Sequence, residues 1–162
     1  MGLSEGVKNM AILNNESGKY AGNFVQMSPG PAMDPQFKAI YDKFAKRIIW
    51  MDGGVCPGAF QMNTAWYFNV PERDPIFEEH CHSDTSELVG FFSGDKDNPY
   101  DLGGKIEFTI DGEAHLLTKS TMIFIPAGVP HNPMRILEVT RPIFHFSVVM
   151  EEKYNADKDI YK

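Results

Sequence analysis

The pattern of apolar and polar positions predicts one short helix near the start of the chain. Residues 1–33 are rich in Gly, Asn and Ser and lack a hydrophobic period, so we expect an irregular arm. Asp34 is a suitable N-cap, and Pro35 suits the first helical position. Four apolar side chains then recur at helical spacing: Phe37, Ile40, Tyr41 and Phe44. We therefore predict an amphipathic helix that packs against the rest of the domain.

From Arg47 onward the chain consists of short runs rich in β-branched and aromatic residues. Seven runs are predicted to be strands: RIIWMDGG, AFQMNTAWYFNV, TSELVGFFSG, KIEFTIDGE, AHLLT, TMIFIPAG and RPIFHFSVVM. Turn residues separate them, and Asp111-Gly112 is a hairpin signal. The polar stretch 93–104 predicts a long surface loop. This spacing predicts a single all-β domain, an antiparallel sandwich or barrel.

Composition and charge narrow the possible partners. The 162 residues are 43% hydrophobic and 23% charged, which is typical of one globular domain. A net charge of -7 without a basic stretch argues against nucleic-acid binding. We find no secretory signal and no apolar run of membrane-spanning length, so we expect a cytoplasmic protein that does not bind membranes. Its two cysteines, Cys56 and Cys81, are then expected to be reduced.

The stretch EEHCHSDTSE, residues 78–87, concentrates groups that bind metals. Side chains two apart in a strand point to the same face, so His80 and His82 are predicted to lie together and Cys81 to point away. Glu87 could return to that face after a turn. Two imidazoles and a carboxylate suit Fe, Mn, Ni, Zn or Cu as divalent ions. The alternative is that the stretch is only the polar end of a hairpin.

A second motif strengthens the metal hypothesis. PAGVPH, residues 126–131, places His131 after a strand and a Pro-X-Gly turn. HCHSDTSELVGFFSG and PAGVPH together resemble the two motifs of the cupin superfamily, His-X-His-X4-Glu-X6-Gly and Pro-X-Gly-X2-His. The match is not complete, because Ser120 stands where the second motif usually has Gly and Arg135 where it often has Asn. The resemblance implies a metal bound by four ligands: His80, His82, Glu87 and His131.

The resemblance also carries expectations about architecture and activity. It implies a cupin jelly-roll barrel over residues 47–150, with an arm and helix at 1–46 and a tail at 151–162. A single divalent metal, Fe, Mn, Ni or Zn, would act on a small carbonyl-bearing or oxygen-rich molecule. The chemistry would be dioxygenase-like oxygenation, or Lewis-acid isomerisation, elimination or decarboxylation. The alternative is a metal-containing cupin that only binds its ligand. Cupins are commonly homodimers, and we expect one here.

Several further side chains are candidates for the surroundings of the metal. His145 is either a core histidine bonded to the backbone or a general acid/base, and Glu87 is a second candidate for proton transfer. One face of AFQMNTAWYFNV is polar; it either faces solvent or lines a pocket in which it binds substrate through Gln61, Asn63 and Tyr67. Four other residues are expected outside the site: His115, Arg135 and Arg141 on the surface, and Cys81 packed as a small apolar group.

Overall fold

The predicted helix is present in the computed structural model, which describes residues 18–157. Helix α1 (Pro35–Phe44) begins after Asp34, whose carboxylate accepts hydrogen bonds from the backbone N–H groups of Gln36 and Phe37 at 2.8 and 3.2 Å. One face of α1 is buried through its aromatic side chains: Phe37, Tyr41 and Phe44. The capped start and the apolar stripe thus form the helix as the sequence indicates. No described helix is long and apolar enough to span a membrane.

Strands make up most of the remaining described chain. Their bounds are β1 (Ala45–Met51), β2 (Gln61–Tyr67), β3 (Glu87–Ser93), β4 (Asp101–Ile110), β5 (Glu113–Lys119), β6 (Thr121–Ile125), β7 (His131–Val139) and β8 (Ile143–Val149). β1, β2, β8, β3 and β6 form one sheet in that order, and β5, β4 and β7 form the second. Every strand pair is antiparallel. The architecture is therefore the all-β jelly roll that was predicted.

The apolar core lies between the two sheets and is closed on one side by α1. Phe91 of β3 and Ile106 of β4 are fully buried and come from opposite sheets. Phe44 of α1 lies 5.8 Å, ring centroid to ring centroid, from Tyr67 of β2. The helix therefore covers apolar side chains that the sheets leave exposed at that side.

Two local predictions were wrong. β7 was not predicted. It contains Pro133, which is unfavourable within a strand, yet Met134 and Ile136 point into the core as strand residues do. The loop predicted over 93–104 is shorter, because β4 already starts at Asp101. Gly103 and Gly104 weaken the strand propensity of this part of β4. Pairing with β7 stabilises the strand, since Gly104 lies opposite Val139. Both errors concern segments that form a strand only because they pair with a neighbouring strand of the sheet.

Gly94, the last residue of the first motif, lies in close contact with a neighbouring backbone segment. A Cβ atom at this position would come within 2.4 Å of the carbonyl oxygen of Pro142. The Gly94 N–H donates to that same oxygen at 3.1 Å. Glycine is therefore required here by the close approach of two chain segments rather than by its backbone angles.

Seventeen residues of the predicted arm, 1–17, and residues 158–162 of the predicted tail lie outside the described residues. Residues 18–33 are irregular apart from one 3₁₀ turn, Ala21–Asn23. Residues 150–157, after β8, have no regular secondary structure, but their backbone is bonded to the domain. The carbonyl oxygens of Glu151 and Glu152 accept hydrogen bonds from the N–H groups of Gln61 and Gly53 at 2.7 and 2.8 Å. This C-terminal segment, residues 151–157, is thereby held against the barrel.

Candidate metal centre

Four side chains predicted to bind a metal meet inside the barrel: His80, His82, Glu87 and His131. Each side chain contributes one possible ligand atom, and these four atoms lie within 4.8 Å of one another. All four side chains are buried. Glu87 is the first residue of β3 and His131 the first residue of β7, so the centre lies where strands of both sheets begin. The fold thus brings the two sequence motifs together.

His80 and His82 do not lie on a regular strand, contrary to the prediction. They belong to an extended segment between β2 and β3, which joins the sheets only through isolated bridges. One bridge links His80 to His131: each N–H donates to the other's carbonyl oxygen, at 3.0 and 2.9 Å. His82 is nevertheless on the same side as His80, because the extended backbone keeps the two-residue alternation. The backbone bridge therefore aligns the two motifs directly.

The three imidazoles are held in a single tautomer by backbone carbonyl groups. The Nδ1 atoms of His80, His82 and His131 lie 3.1, 2.6 and 3.0 Å from backbone carbonyl oxygens. A carbonyl oxygen only accepts, so each Nδ1 carries the proton and donates it. Each Nε2 therefore keeps its lone pair and is free to bind a metal, which is the usual arrangement around a metal-ligating histidine.

The lone pairs of His131 Nε2 and His82 Nε2 face the carboxylate of Glu87. Glu87 Oε2 lies 2.8 Å from His131 Nε2 and 3.4 Å from His82 Nε2, and none of these three buried atoms has a hydrogen-bond partner among the described residues. Acceptors held this close repel one another unless a proton or a cation lies between them. Three imidazole nitrogens and one carboxylate oxygen suit a divalent transition metal. The donor set therefore fits the predicted metal.

The charges of the ligands also suit a cation. Burial raises the pKa of Glu87, but the hydrogen bonds that His131 and His82 donate to it when their imidazoles are protonated outweigh burial and lower that pKa to about 2. Burial and the proximity of His131 lower the pKa of His80 to about 4. Glu87 is thus a carboxylate and His80 a neutral imidazole at neutral pH. These are the protonation states in which both side chains bind metals.

A cavity adjoins the metal centre. Its walls include Glu87, His80 and His131, and its other polar side chains are Tyr41, Asn63, Tyr67, Asn132, His145, Ser147 and Tyr154. The cavity volume is about 50 Å³, which is enough for a few water molecules or one small organic molecule. The cavity therefore joins the candidate metal centre to side chains that can form hydrogen bonds.

The polar face of β2 points inward, so the interpretation in which it faces solvent is wrong. Gln61, Asn63 and Tyr67 are buried, while Trp66, on the alternate face, is 36% exposed. Asn63 and Tyr67 line the cavity. Gln61 is fully buried beyond the lining, and both its amide atoms lack a hydrogen-bond partner among the described residues, as does Asn63 Oδ1. The structure thus places two of the three predicted substrate-binding residues beside the candidate centre.

His145 is a buried histidine that also reaches the cavity, so the two interpretations of this residue are compatible. Its ring stacks between those of Tyr67 and Phe91, with both centroids 5.0 Å away. Its Nδ1 lies 3.1 Å from the carbonyl oxygen of Gly90, to which it donates, and this leaves Nε2 with a lone pair. Burial lowers the pKa of His145 to about 4. His145 is thus rigidly held and neutral at neutral pH.

Sequence reasoning missed Tyr154. This residue belongs to the C-terminal segment, and its hydroxyl oxygen lies 3.1 Å from His80 Nε2. The next residue, Asn155, supplies the carbonyl oxygen to which His82 Nδ1 donates. No pattern in the sequence indicated either contact, because a segment without periodicity does not reveal where it packs.

The remaining candidates lie away from the cavity. His115 is exposed as predicted, and Arg135 forms ion pairs with Asp74 and Glu107. Arg141 pairs with the carboxylate of Asp101 at 3.1 Å. Two further outcomes concern the cysteines: Cys56 and Cys81 are both free thiols, and Cys81 is half-exposed rather than packed in the core. These arginines and thiols therefore do not line the candidate site.

Solved structures share this arrangement of strands. An oxalate oxidase in complex with the substrate analogue glycolate matches with a TM-score of 0.52 at 13% identity over 87% of this chain and 65% of that chain. Peruvianin-I, a cysteine peptidase from Thevetia peruviana latex, matches with a TM-score of 0.52 at 12% identity over 91% and 82%. Together with the buried His-His-Glu-His cluster, these matches decide the fold. The chain has the cupin fold.

The similarity extends no further than the fold. No protein-family model matches the sequence, and no curated protein matches it significantly. The chain spans slightly less than two thirds of the length of the oxalate oxidase that it matches. The two solved structures above are also described by different activities. The function of this cupin must therefore be argued from its own site.

Proposed function

We propose that this cupin is a metal-dependent enzyme that moves a proton on a small carbonyl-bearing or oxygen-rich molecule. One observation carries the proposal. The convergent ligand atoms of the candidate metal centre adjoin a cavity that also holds a neutral histidine, His145, and an amide oxygen without a partner among the described residues, Asn63 Oδ1. Isomerisation, elimination and decarboxylation all need an electrophile and a proton-transfer group side by side.

The size and charge of the cavity limit the substrate. The volume admits a molecule of only a few heavy atoms. No lysine or arginine stands among the described residues that line it, and Glu87 contributes a negative charge. With a divalent metal bound, the centre would carry a single net positive charge. We therefore expect a neutral or singly charged anionic substrate, because a dianion would remain uncompensated in a buried site.

The metal would be held by His80, His82, Glu87 and His131, and it would supply Lewis-acid polarisation of a substrate oxygen. His145 would accept the proton through Nε2. The two aromatic rings stacked on its imidazole and the Gly90 carbonyl keep it oriented. We assign this step to His145 rather than to Glu87, because a carboxylate whose pKa lies near 2 is a poor proton acceptor at neutral pH.

Asn63 and Tyr67 are the proposed substrate-binding residues in the cavity. Asn63 Oδ1 would accept a hydrogen bond from a substrate hydroxyl group, which would satisfy a buried acceptor. Gln61, which lies behind them on β2, would act by supporting that face of the strand. The oxalate oxidase with the same fold is described in complex with glycolate, a small oxygen-rich acid. That complex supports the size class proposed for this cavity.

Deuterium exchange tests the proposal whatever product the enzyme forms. Metal-replete protein would be incubated in D₂O with pyruvate, dihydroxyacetone or glycolaldehyde, and the loss of C–H protons next to the carbonyl group followed by NMR. We expect exchange that requires the metal and falls at least about 100-fold in His145→Gln, the contribution typical of a general base. Exchange no faster than in buffer for every probe, together with binding of these probes, would instead identify a binding-only cupin.

Oxygenation of the substrate is the reaction that competes with the proposed proton transfer. It would appear as dioxygen consumption with the same probes under air, followed with an oxygen electrode. We expect none above the background of His131→Ala protein. Metal-dependent dioxygen consumption without C–H exchange would overturn the proton-transfer mechanism in favour of a dioxygenase.

The proposed enzyme is a cytoplasmic homodimer. The free thiols Cys56 and Cys81 support a reducing compartment. β6 is an edge strand of the larger sheet, and its side chains Met122 and Phe124 are 62% and 64% exposed. Apolar edge strands favour pairing with a second chain. Light scattering on purified protein should give twice the monomer mass, and a monomer at micromolar concentration would contradict the proposed dimer.

A further inference from the structure

Tyr154 lies beside the candidate metal centre but comes from outside both sequence motifs. Its hydroxyl oxygen is 3.1 Å from His80 Nε2, and because that nitrogen has no proton of its own, the tyrosine hydroxyl donates the hydrogen bond. Its ring lies 5.0 Å from the ring of His82 and 6.3 Å from that of Trp50, centroid to centroid, both in edge-on orientation. The phenol group is therefore held in place by two aromatic rings.

The backbone of the C-terminal segment is tied to the segment that carries the two histidines. His82 Nδ1 donates to the Asn155 carbonyl oxygen at 2.6 Å. The Cys81 N–H donates to the Asp157 carboxylate at 2.9 Å, and the Asp157 N–H donates to the Cys81 carbonyl oxygen at 3.2 Å. These bonds involve residues one and three positions after Tyr154 in the chain. The segment that orients His82 thus also positions the Tyr154 hydroxyl.

The distances among the polar atoms match those between ligands of one ion. Two ligands that each lie about 2.1 Å from a metal are about 3.0 Å apart at a right angle and about 3.4 Å apart in a tetrahedron. Glu87 Oε2 lies 2.8 and 3.4 Å from the two neighbouring Nε2 atoms, of His131 and His82. The Tyr154 oxygen, 3.1 Å from His80 Nε2, falls in the same range. A metal about 2.1 Å from both atoms would therefore fit beside this pair, off the straight line that joins them.

We infer that Tyr154 is a fifth protein ligand of the metal, supplied by the C-terminal segment. The inference rests on the proposed metal centre. Metal binding would release the hydroxyl proton to solvent, and the phenolate would neutralise the charge that remains after Glu87. The phenolate occupies a position that would otherwise be open, so a substrate would bind in a remaining position or displace it. The C-terminal segment would thus control access to the metal.

Copper provides a spectroscopic test. Among divalent first-row metals Cu²⁺ binds nitrogen and oxygen sites most tightly, so one equivalent should load the metal-free protein whatever its native metal. A phenolate bound to Cu²⁺ gives a visible charge-transfer absorption, which the imidazole and carboxylate ligands lack. We expect this absorption in the wild type and in Tyr100→Phe, a control at an exposed tyrosine, and its loss in Tyr154→Phe.

Copper affinity, measured by competition with a chelator, should weaken about tenfold or more in Tyr154→Phe. Phenylalanine keeps the ring packing on His82 and Trp50, so a merely structural role of Tyr154 predicts an unchanged spectrum and an unchanged affinity. Absence of the charge-transfer absorption from the copper-loaded wild type overturns the inference, even if Tyr154→Phe does not fold. Failure of the wild type to bind copper overturns the metal centre as well, which separates the two conclusions.

Discussion

The Nε2 atom of His131 lies 2.8 Å from the Oε2 atom of Glu87, although the two residues begin strands of different sheets. Both atoms are buried, and neither has a hydrogen-bond partner among the described residues. The contact therefore places two lone pairs face to face in the interior of the barrel. A bound cation turns this repulsion into attraction, so the stability of this fold should depend on its metal.

Removal of one ligand should empty the centre. His131→Ala deletes one of the three imidazoles that would hold the metal, so we expect bound transition metal to fall from near one per chain to near zero. Elemental analysis after metal-replete expression measures this. His115→Ala is the matched control, because His115 is exposed and outside the cavity. Equal metal content in both variants would contradict the assignment of His131.

Chelation should destabilise the wild type. A metal at about 100 times its dissociation constant stabilises the folded state by about 2.7 kcal/mol. For a domain of this size that amounts to a change in melting temperature of roughly 5–10 °C. Calorimetry with added metal and with excess chelator tests this, with His131→Ala as the control that should show little difference. A wild-type melting temperature that does not respond to metal would argue that the four side chains form a metal-free polar cluster.

His145 should make the metal-free protein less stable in acid. Its folded-state pKa of about 4 lies below the ordinary value of 6.5, so the unfolded chain binds more protons between these values. Stability is therefore complete above about pH 6.5 and is lost as the pH falls towards 4, by up to about 3 kcal/mol. His145→Asn retains a donor for Gly90 but cannot titrate in this range.

Urea unfolding of the metal-free proteins at several pH values measures the difference between wild type and His145→Asn. We expect the variant to lose less stability than the wild type between pH 6.5 and 4. His80 and the acidic groups titrate in both proteins, so they cancel in the comparison. Parallel curves for the two proteins would show that His145 is protonated without cost in the folded state.

Gly94→Ala should destabilise the fold. The added Cβ would come within 2.4 Å of the Pro142 carbonyl oxygen, and the backbone must move to relieve this clash. We expect a loss of about 2 kcal/mol in the free energy of unfolding, a typical cost of overpacking. Gly22→Ala is the control, since a Cβ there meets nothing within 4 Å. Equal stability of the two variants, measured by urea unfolding, would contradict the close approach.

Local sequence signals predicted the secondary structure correctly wherever residues close together in the chain determine it. Asp34 and the apolar stripe of α1 predicted a helix because cap and stripe act within a few residues of each other. Most strands were predicted from their apolar runs. β7 was missed; Pro133 weakens it locally, and its pairing with β4 outweighs that effect. Tertiary pairing, rather than propensity, forms that strand.

The face of β2 shows a second limit of the sequence. Alternation predicted that Gln61, Asn63 and Tyr67 share one face, and they do. The alternation could not decide which face is buried, because buried amides are stable only when the surrounding structure offers polar partners or a cavity. That surrounding comes from other strands, such as β8 with His145.

By itself, the sequence determined an antiparallel all-β domain through turn signals and alternation, which are local properties of the chain. Its resemblance to the two cupin motifs supplied the jelly roll and the four metal-binding candidates. Only the tertiary structure decided that the amide face of β2 points inward, that His145 lies in the cavity and that Tyr154 reaches His80. These contacts join segments distant in the chain, and they form only when both sheets and the C-terminal segment pack together. Their physical basis is therefore the packing of the barrel, which no local pattern encodes.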